Sequence, residues 1–303
     1  MNWPSGLKSK ILKKEPLKGH TTFKIGGPAE LLVKAHDPQE LRDLIRLAKA
    51  ARLRCRVIGA GSNILAADKG VKGLVIKLDS PWFKKITFEG NNRVRAGAGV
   101  LLSRFIYFCR VTGLSGAEFL TGIPGTIGGG LAMNAGISVK SGNKKTKEPA
   151  IGDLVEIVRV MDYNGGIKEL KAKEIKFAYR DSDLSRYIIL EAVFKLRKGD
   201  AARILRDIRG YAVRRGKNQD YSYPSAGCVF KNPANAPAGK LIDQSGLKGK
   251  NIGSAAVSLK HANFIVNRGN ARAKDVLNLI SLIKKQVKRD FKVNLETEIK
   301  IWE

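Results

Sequence analysis

The stretch Thr121-Gly-Ile-Pro-Gly-Thr-Ile-Gly-Gly129, together with Gly59-Ala-Gly-Ser-Asn63 upstream, decides how the chain is read. Glycines at this density let successive backbone N–H groups converge on an anion, because a Cβ would obstruct a close phosphate or the φ angles required. Neither loop is a Rossmann G-x-G-x-x-G or a Walker loop, since the final Gly or the Gly-Lys-Ser/Thr is missing. Each alone also reads as a tight turn. Two of them in one basic chain favour a dinucleotide.

Outward from the loops the pattern is mixed α and β. Asp37, Pro38 and Glu40 form a predicted capping box ahead of Leu41, Leu44, Ile45 and Ala48 at helical spacing. Apolar runs Cys55 to Ile58 and Leu74 to Leu78 read as strands flanking the first loop. From Pro81 to about Lys198 strand signals dominate: Ile86 to Phe88, Arg93 to Ala96, Leu154 to Asp162 and Ile188 to Leu196. Asn164-Gly165 marks a hairpin whose type I′ turn needs positive φ at both central positions. A helix over Leu101 to Thr112 ends at Gly113, and Ser138 to Pro149, with four lysines, reads as an exposed loop.

In the last third, Asp200 is the expected N-cap of a helix turning Ile204, Leu205, Ile208 and Ala212 inward. A second helix, Ala273 to Asp290, carries Val276, Leu277, Ile280, Ile283 and Val287 on one face. Leu295, Thr297, Ile299 and Ile301 then alternate as a strand, with Glu296, Glu298 and Lys300 on its other face. No internal repeat is visible.

At 303 residues, with 43% hydrophobic content, two or three domains fit. The formal charge of +29 suits a polyanionic partner, but it is spread along the chain without a long block of like charge. The densest stretch, Lys195 to Lys217, with nine basic and two acidic residues, also has helical periodicity and reads largely as an exposed helix face. Cys55, Cys109 and Cys228 lack C-x-x-C spacing, so neither a disulfide framework nor a zinc site is expected, and a cytoplasmic setting fits. Met1 to Lys18 has no apolar signal-peptide core. The uncharged run Phe119 to Val139 is long enough to span a bilayer, but its six glycines, Pro124 and Asn134 read as a buried loop system.

These loops, with Thr21-Thr-Phe-Lys-Ile-Gly-Gly27 before them and Met133-Asn-Ala-Gly136 after them, resemble the FAD-binding half of the UDP-N-acetylenolpyruvoylglucosamine reductase family. Tyr179-Arg-Asp-Ser182, Pro224-Ser-Ala-Gly-Cys-Val-Phe-Lys-Asn-Pro233, Ala238-Gly-Lys-Leu-Ile-Asp243 and Leu295-Glu-Thr-Glu-Ile299 resemble its substrate-side motifs, in their usual order. The resemblance implies an α+β fold: a vanillyl-alcohol-oxidase-type FAD-binding domain of two α+β subdomains (1–79 and 80–199), and an α+β substrate-binding domain (200–303). The short run from Leu196 to Cys228 looks like the family's shorter form, which lacks a tyrosine-bearing loop and a βαββ insertion.

The same resemblance implies a two-stage reaction in peptidoglycan precursor synthesis. NADPH reduces non-covalently bound FAD and leaves, and the enolpyruvyl UDP-sugar then receives hydride. It assigns FAD to Gly59, Ala60, Gly61, Ser62, Asn63 and Ile64, to Gly122, Ile123, Pro124, Gly125, Thr126, Gly128 and Gly129, and to Asn134, Ala135 and Gly136. Arg180 and a protonated Glu298 are expected to stabilise the enolate. Cys228 stands where the family typically has a proton-donating serine; a thiol is the stronger acid and can take that role. Tyr179, Lys217, Asn232 and Lys240 are substrate-binding candidates, although Gln219-Asp220 makes the spacing near Lys217 irregular. His261 reads equally as structural, and no catalytic metal is expected.

Two other readings remain open on the residues alone. A nucleic-acid-binding protein would account for the charge, yet no recognition motif or stacking platform is evident at 7% aromatic content. An oxygen-using sugar oxidase of the same flavin superfamily suits Arg180, Cys228 and Glu298 less well. The expected partners are NADPH and the UDP-sugar, with no nucleic acid and no membrane, for a monomer.

Overall fold

The computed structural model describes residues 7–137, 149–234 and 236–303. The exposed loop expected over Ser138 to Pro149 lies, except for Pro149, outside them, as does the start of the Met1 to Lys18 segment. The chain divides into two compact units. The first takes in Met1–Leu12, Leu32–Gly59 and Gly73–Arg214; the second takes in Lys13–Leu31, Ala60–Lys72 and Arg215–Glu303.

In the first unit, helix α1 (Pro38–Ala50) starts where the capping signals put it, with the Glu40 amide donating to Asp37 Oδ1 at 2.8 Å. The box closes on one side only. The buried Glu40 carboxylate takes the His36 amide at 2.6 Å and the Ser9 amide and hydroxyl at 2.8 and 2.6 Å. Parallel strands Cys55–Ile58 and Val71–Lys77 belong to a four-stranded sheet, while five antiparallel strands follow the order Ile167–Lys171, Val155–Met161, Ile188–Lys195, Arg93–Gly97, Ile86–Phe88.

The central strand Ile188–Lys195 is buried along most of its length, as a strand covered on both faces should be. The hairpin at Asn164-Gly165 forms, but only Gly165 has positive φ (+88°), so its turn is not type I′. Asp162 Oδ1 accepts the amides of Asn164 and Gly166 and shapes a longer loop instead. Those amides hold the Asp162 carboxyl below its ordinary pKa. Helix α2 (Leu102–Val111) ends as expected, with Gly113 at φ +67°. The short helix α3 (Ile127–Ala132) follows the second glycine loop.

Helix α4 (Ala201–Asn218) begins at Asp200, whose carboxylate accepts the Arg203 amide at 2.8 Å. It buries only Ile204; Leu205 and Ile208 are half-buried and Ala212 is exposed. The inward face expected from periodicity is therefore a partly covered surface face. Nothing but this helix and short coil separates strand Arg197–Lys198 from Ser225, in keeping with the shorter family form.

The second unit contains a four-stranded antiparallel sheet in the order Ser225–Cys228, Phe264–Asn267, Ala255–Val257, Asn251–Ile252. Helix α5 (Ala238–Gln244) and helix α6 (Ala273–Phe291) share its core, and α6 buries Val276, Leu279, Ile280, Ile283 and Val287. At roughly 1.5–3 kcal/mol per fully buried aliphatic side chain, this face is a main stabilising element of the unit. Asp68 caps α6 from another segment, accepting the Ala273 and Lys274 amides at 2.7 and 3.0 Å. The final strand is shorter than the alternation suggested. It spans Lys300–Trp302, parallel to Ile64–Ala66, and Ile301 is exposed.

Candidate active site

In the second unit, Gly61 has φ +65°, and a Cβ there would run into the His20 carbonyl oxygen and stand 2.8 Å from the Thr21 Cα. The Thr22 amide donates to the Gly61 carbonyl at 3.2 Å. Two residues further, Asn63 ties the loop to the C-terminal segment. Its Nδ2 donates to the Glu298 carbonyl at 3.2 Å, and its own carbonyl accepts the Lys300 amide at 2.9 Å. Ile64 then enters the strand that pairs with Lys300–Trp302.

In the first unit, the loops come together at one point: a Cβ on Gly59 would stand 2.5 Å from Thr126 Oγ1. Thr126 caps α3 by accepting the Gly129 amide at 3.3 Å. Gly122 and Gly125 have φ of +77° and +146°. The Ile127 and Gly128 amides are spent on the carbonyls of Val100 and Ala98, at 2.8 and 2.9 Å, so Gly128 contributes shape and not a donor. Gly122, Pro124 and Gly129 are exposed.

A flavin dinucleotide needs bare backbone beside its phosphates and polar atoms for its ribityl and ring edges, and both kinds of group are present. The Thr121 hydroxyl in the first unit and His20 Nδ1 in the second are enclosed, with no hydrogen-bond partner within the protein. A buried polar atom left this way costs about 1–3 kcal/mol, which a ligand would recover. Each loop, taken within its own unit, thus suits FAD: in the first, Gly122 and Gly125 offer backbone and Gly59 allows close packing, and in the second Gly61 does the same.

Tyr179 and Arg180 form the two-residue turn between Phe177–Ala178 and Asp181–Ser182, also in the first unit. Arg180 adopts φ +56°, a left-handed conformation that costs a non-glycine residue free energy. Its guanidinium carbon lies 5.3 Å from the Tyr179 ring centroid. Asn134, at φ +41°, donates from Nδ2 to the Ala178 carbonyl at 3.0 Å and accepts the Gly152 amide at Oδ1, 3.2 Å away. Ala135 is held by its amide on the Gly130 carbonyl, and Gly136 bridges to Ala150.

The segments that carry Cys228 and Glu298 run side by side in the second unit. Strand Ser225–Cys228 slips one residue against Phe264–Asn267, with Gly227 at φ +76°, a bulge that re-aims the end of the strand. Just beyond it, Phe230 bridges Thr297, the Glu298 amide donates to the Val229 carbonyl at 2.8 Å, and the Lys231 amide donates to the Glu296 carbonyl at 2.9 Å. This ladder sets Glu298 opposite Val229, one position from Cys228. Cys228 is half-buried, as is Glu298.

The other candidates fall in the same unit, and Asn232 has a structural duty of its own. Asn232 Oδ1 caps α5 through the Ala238 amide at 2.9 Å, Lys240 is exposed on α5, and Lys217 is exposed at the end of α4. Asp220, the oddity beside Lys217, accepts the hydroxyl of buried Ser258 at 2.6 Å. Burial opposes ionisation there, but hydrogen bonds prevail and hold its carboxyl below the ordinary value. His261 packs 4.7 Å from the Phe264 ring and accepts the Asn263 amide at Nδ1; burial lowers its pKa.

Three useful residues escaped the candidate set although their motifs were in view. Thr22 donates its hydroxyl to the Ser225 carbonyl at 2.8 Å, joining the first glycine loop to the Cys228 strand. Asn263 brackets Phe230, accepting its amide at 2.9 Å and donating to its carbonyl at 2.8 Å. Thr121 opens the second loop.

Residues 29–171 match an FAD binding domain, and residues 219–302 match the C-terminal domain of UDP-N-acetylenolpyruvoylglucosamine reductase. UDP-N-acetylenolpyruvoylglucosamine reductase 2 of Symbiobacterium thermophilum is 43% identical over 97% of this chain and 92% of its own length. The chain belongs to the UDP-N-acetylenolpyruvoylglucosamine reductase family. The reductase of Alkaliphilus oremlandii is likewise 43% identical, over 96% of this chain and 93% of its own. The crystal structure of the family's enzyme from Thermus caldophilus superposes with a TM-score of 0.80 at 35% identity, covering 98% of this chain and 100% of that one. The family resemblance carried by the motifs therefore holds for the whole α+β chain.

Proposed function

We propose that this chain reduces the enolpyruvyl ether of UDP-N-acetylglucosamine to UDP-N-acetylmuramate with NADPH, as an FAD-dependent oxidoreductase of peptidoglycan precursor synthesis. The observation that carries the reading is end-to-end family membership in a chain that pairs the Cys228 and Glu298 segments and fixes Arg180 in a strained turn. Neither the nucleic-acid reading nor the oxidase reading is favoured by the relatives.

Bound FAD supplies the two-electron chemistry. Residues 59–64, 122–126, 128, 129 and 134–136 would hold it non-covalently. Hydride arriving at the substrate's terminal alkene carbon leaves an electron pair at the ether-bearing carbon, delocalised into the carboxylate as an enolate. Arg180 offsets that charge with a fixed guanidinium, and Glu298 adds a second polar contact. Cys228 gives its S–H proton to the ether-bearing carbon, and the thiolate regains one from solvent. Tyr179, Lys217, Asn232 and Lys240 contribute to holding the UDP-sugar. The division at 1–79, 80–199 and 200–303, a cytoplasmic location and a monomeric state belong to the same reading; no helix among the described residues is long and apolar enough to cross a membrane.

The visible spectrum of the purified protein tests this. A flavin band should be present, bleach on anaerobic addition of NADPH, and return on addition of the enolpyruvyl UDP-sugar. A colourless protein that takes up no FAD refutes the reading.

A further inference from the structure

A two-residue turn joining strands of two residues each has too little pairing to hold itself. A positive φ at the second turn residue, +56° at Arg180, suits such a turn, and neighbours must hold the turn in place. Those neighbours are specific. Ser182 donates its hydroxyl to the Leu131 and Ala132 carbonyls at 2.8 and 3.1 Å, fixing the outgoing strand to the end of α3. Asn134, just past that helix, fixes the incoming strand through the Ala178 carbonyl and braces itself on the Gly152 amide.

The geometry around Asn134 leaves little latitude. A Cβ on Gly152 would stand 2.9 Å from Asn134 Oδ1 and 2.7 Å from the Phe177 ring, so glycine at 152 is what lets the amide seat between the two backbones. Asparagine also tolerates the left-handed conformation found at 134. A side chain at this place must donate on one edge and accept on the other; aspartate offers only acceptors and would face the Ala178 carbonyl.

We propose that Asn134 is a positioning residue for Arg180, with its side-chain amide committed to the Arg180 turn and not to the cofactor. The inference rests on the proposed function, in which Arg180 meets the substrate. Because α3 starts at the second glycine loop, the clamp also ties the placement of Arg180 to the backbone that would hold FAD.

The test is stopped-flow measurement of the two half-reactions in N134A, N134D, R180K and the N134A/R180K double variant, with FAD affinity from titration of the apoprotein. N134A and N134D should each slow reoxidation of reduced flavin by the enolpyruvyl UDP-sugar about ten- to hundredfold, the scale of a misplaced catalytic group. With FAD saturating, the loss in reoxidation should exceed any loss in reduction by NADPH at least about tenfold. In the R180K background, N134A should cost almost nothing more, as expected of residues acting through one another.

Weaker FAD binding with normal reoxidation at saturating FAD would make the amide a cofactor ligand and overturn the proposal. So would an undiminished N134A effect in the R180K background. If R180K itself reoxidises at the normal rate while N134A does not, the reading of Arg180 is what fails. N134D, which keeps the brace on Gly152, stands in if N134A does not fold.

Discussion

Cys228→Ala should stop reduction of the enolpyruvyl UDP-sugar while leaving reduction of the bound flavin by NADPH unchanged. The first half-reaction needs no proton from the protein at the substrate carbon. The second ends on one, and loss of a positioned proton donor typically costs about 10²–10⁴-fold. Under the proposed function this residue is the donor: it closes the strand after the bulge at Ala226-Gly227, and the adjacent ladder pairs its segment with that of Glu298. Anaerobic stopped-flow traces separate the two phases. Cys228→Ser, which restores the hydroxyl usual in the family, should retain turnover, so a dead serine variant alongside a dead alanine variant would point to packing. Unchanged turnover in Cys228→Ala would remove the residue from the mechanism.

Local rules carried the parts of the molecule that are decided locally. Asp37 and Pro38 start α1, Gly113 ends α2, and the apolar stripe of α6 faces the core, because each depends on residues within a turn or two. Apart from the turn at Asn164-Gly165, which nearby Asp162 reshapes, what failed was decided at long range. Glu40 was expected to reach back to Asp37 but is captured by Ser9, far away in sequence. Ile301 alternates correctly with Ile299 and is still exposed, because Lys300–Trp302 pairs with Ile64–Ala66 and its burial depends on that neighbour. α4 has the period of an inward face that its surroundings cover only in part.

The candidate site divides in the same way. The glycine loops and the segments that carry Arg180, Cys228 and Glu298 stand out as candidates because the motifs occur in order. The supports were not: Thr22, Asn263 and the amide of Asn134 act on carbonyls of residues distant in sequence, and neither composition nor spacing marks such a contact. The first glycine loop also changes meaning once these supports are seen. Gly59 and Gly61 are hemmed in by Thr126 and by the His20–Thr21 backbone respectively, so their bareness serves protein packing before it serves any ligand.

That gives Gly61→Ala a large predicted effect. Alanine at φ +65° carries a backbone penalty of about 1 kcal/mol or more. Its Cβ would meet the His20 carbonyl and the Thr21 Cα, which are main-chain atoms with no flexible end to swing aside. The His20–Phe23 segment or the loop itself must move, and the Thr22 and Asn63 hydrogen bonds lie on either side of the strain. FAD affinity should fall at least about a hundredfold, equivalent to some 2.7 kcal/mol, and the protein should purify largely without flavin colour. Gly210→Ala is the control: it lies inside α4 with nothing within 4 Å of its would-be Cβ, and should keep its flavin with equal or greater stability. Fluorescence titration of apoprotein with FAD measures both variants. Wild-type affinity in Gly61→Ala would mean that the loop tolerates displacement, and its link through Asn63 to Glu298 would then have no bearing on how the cofactor is held.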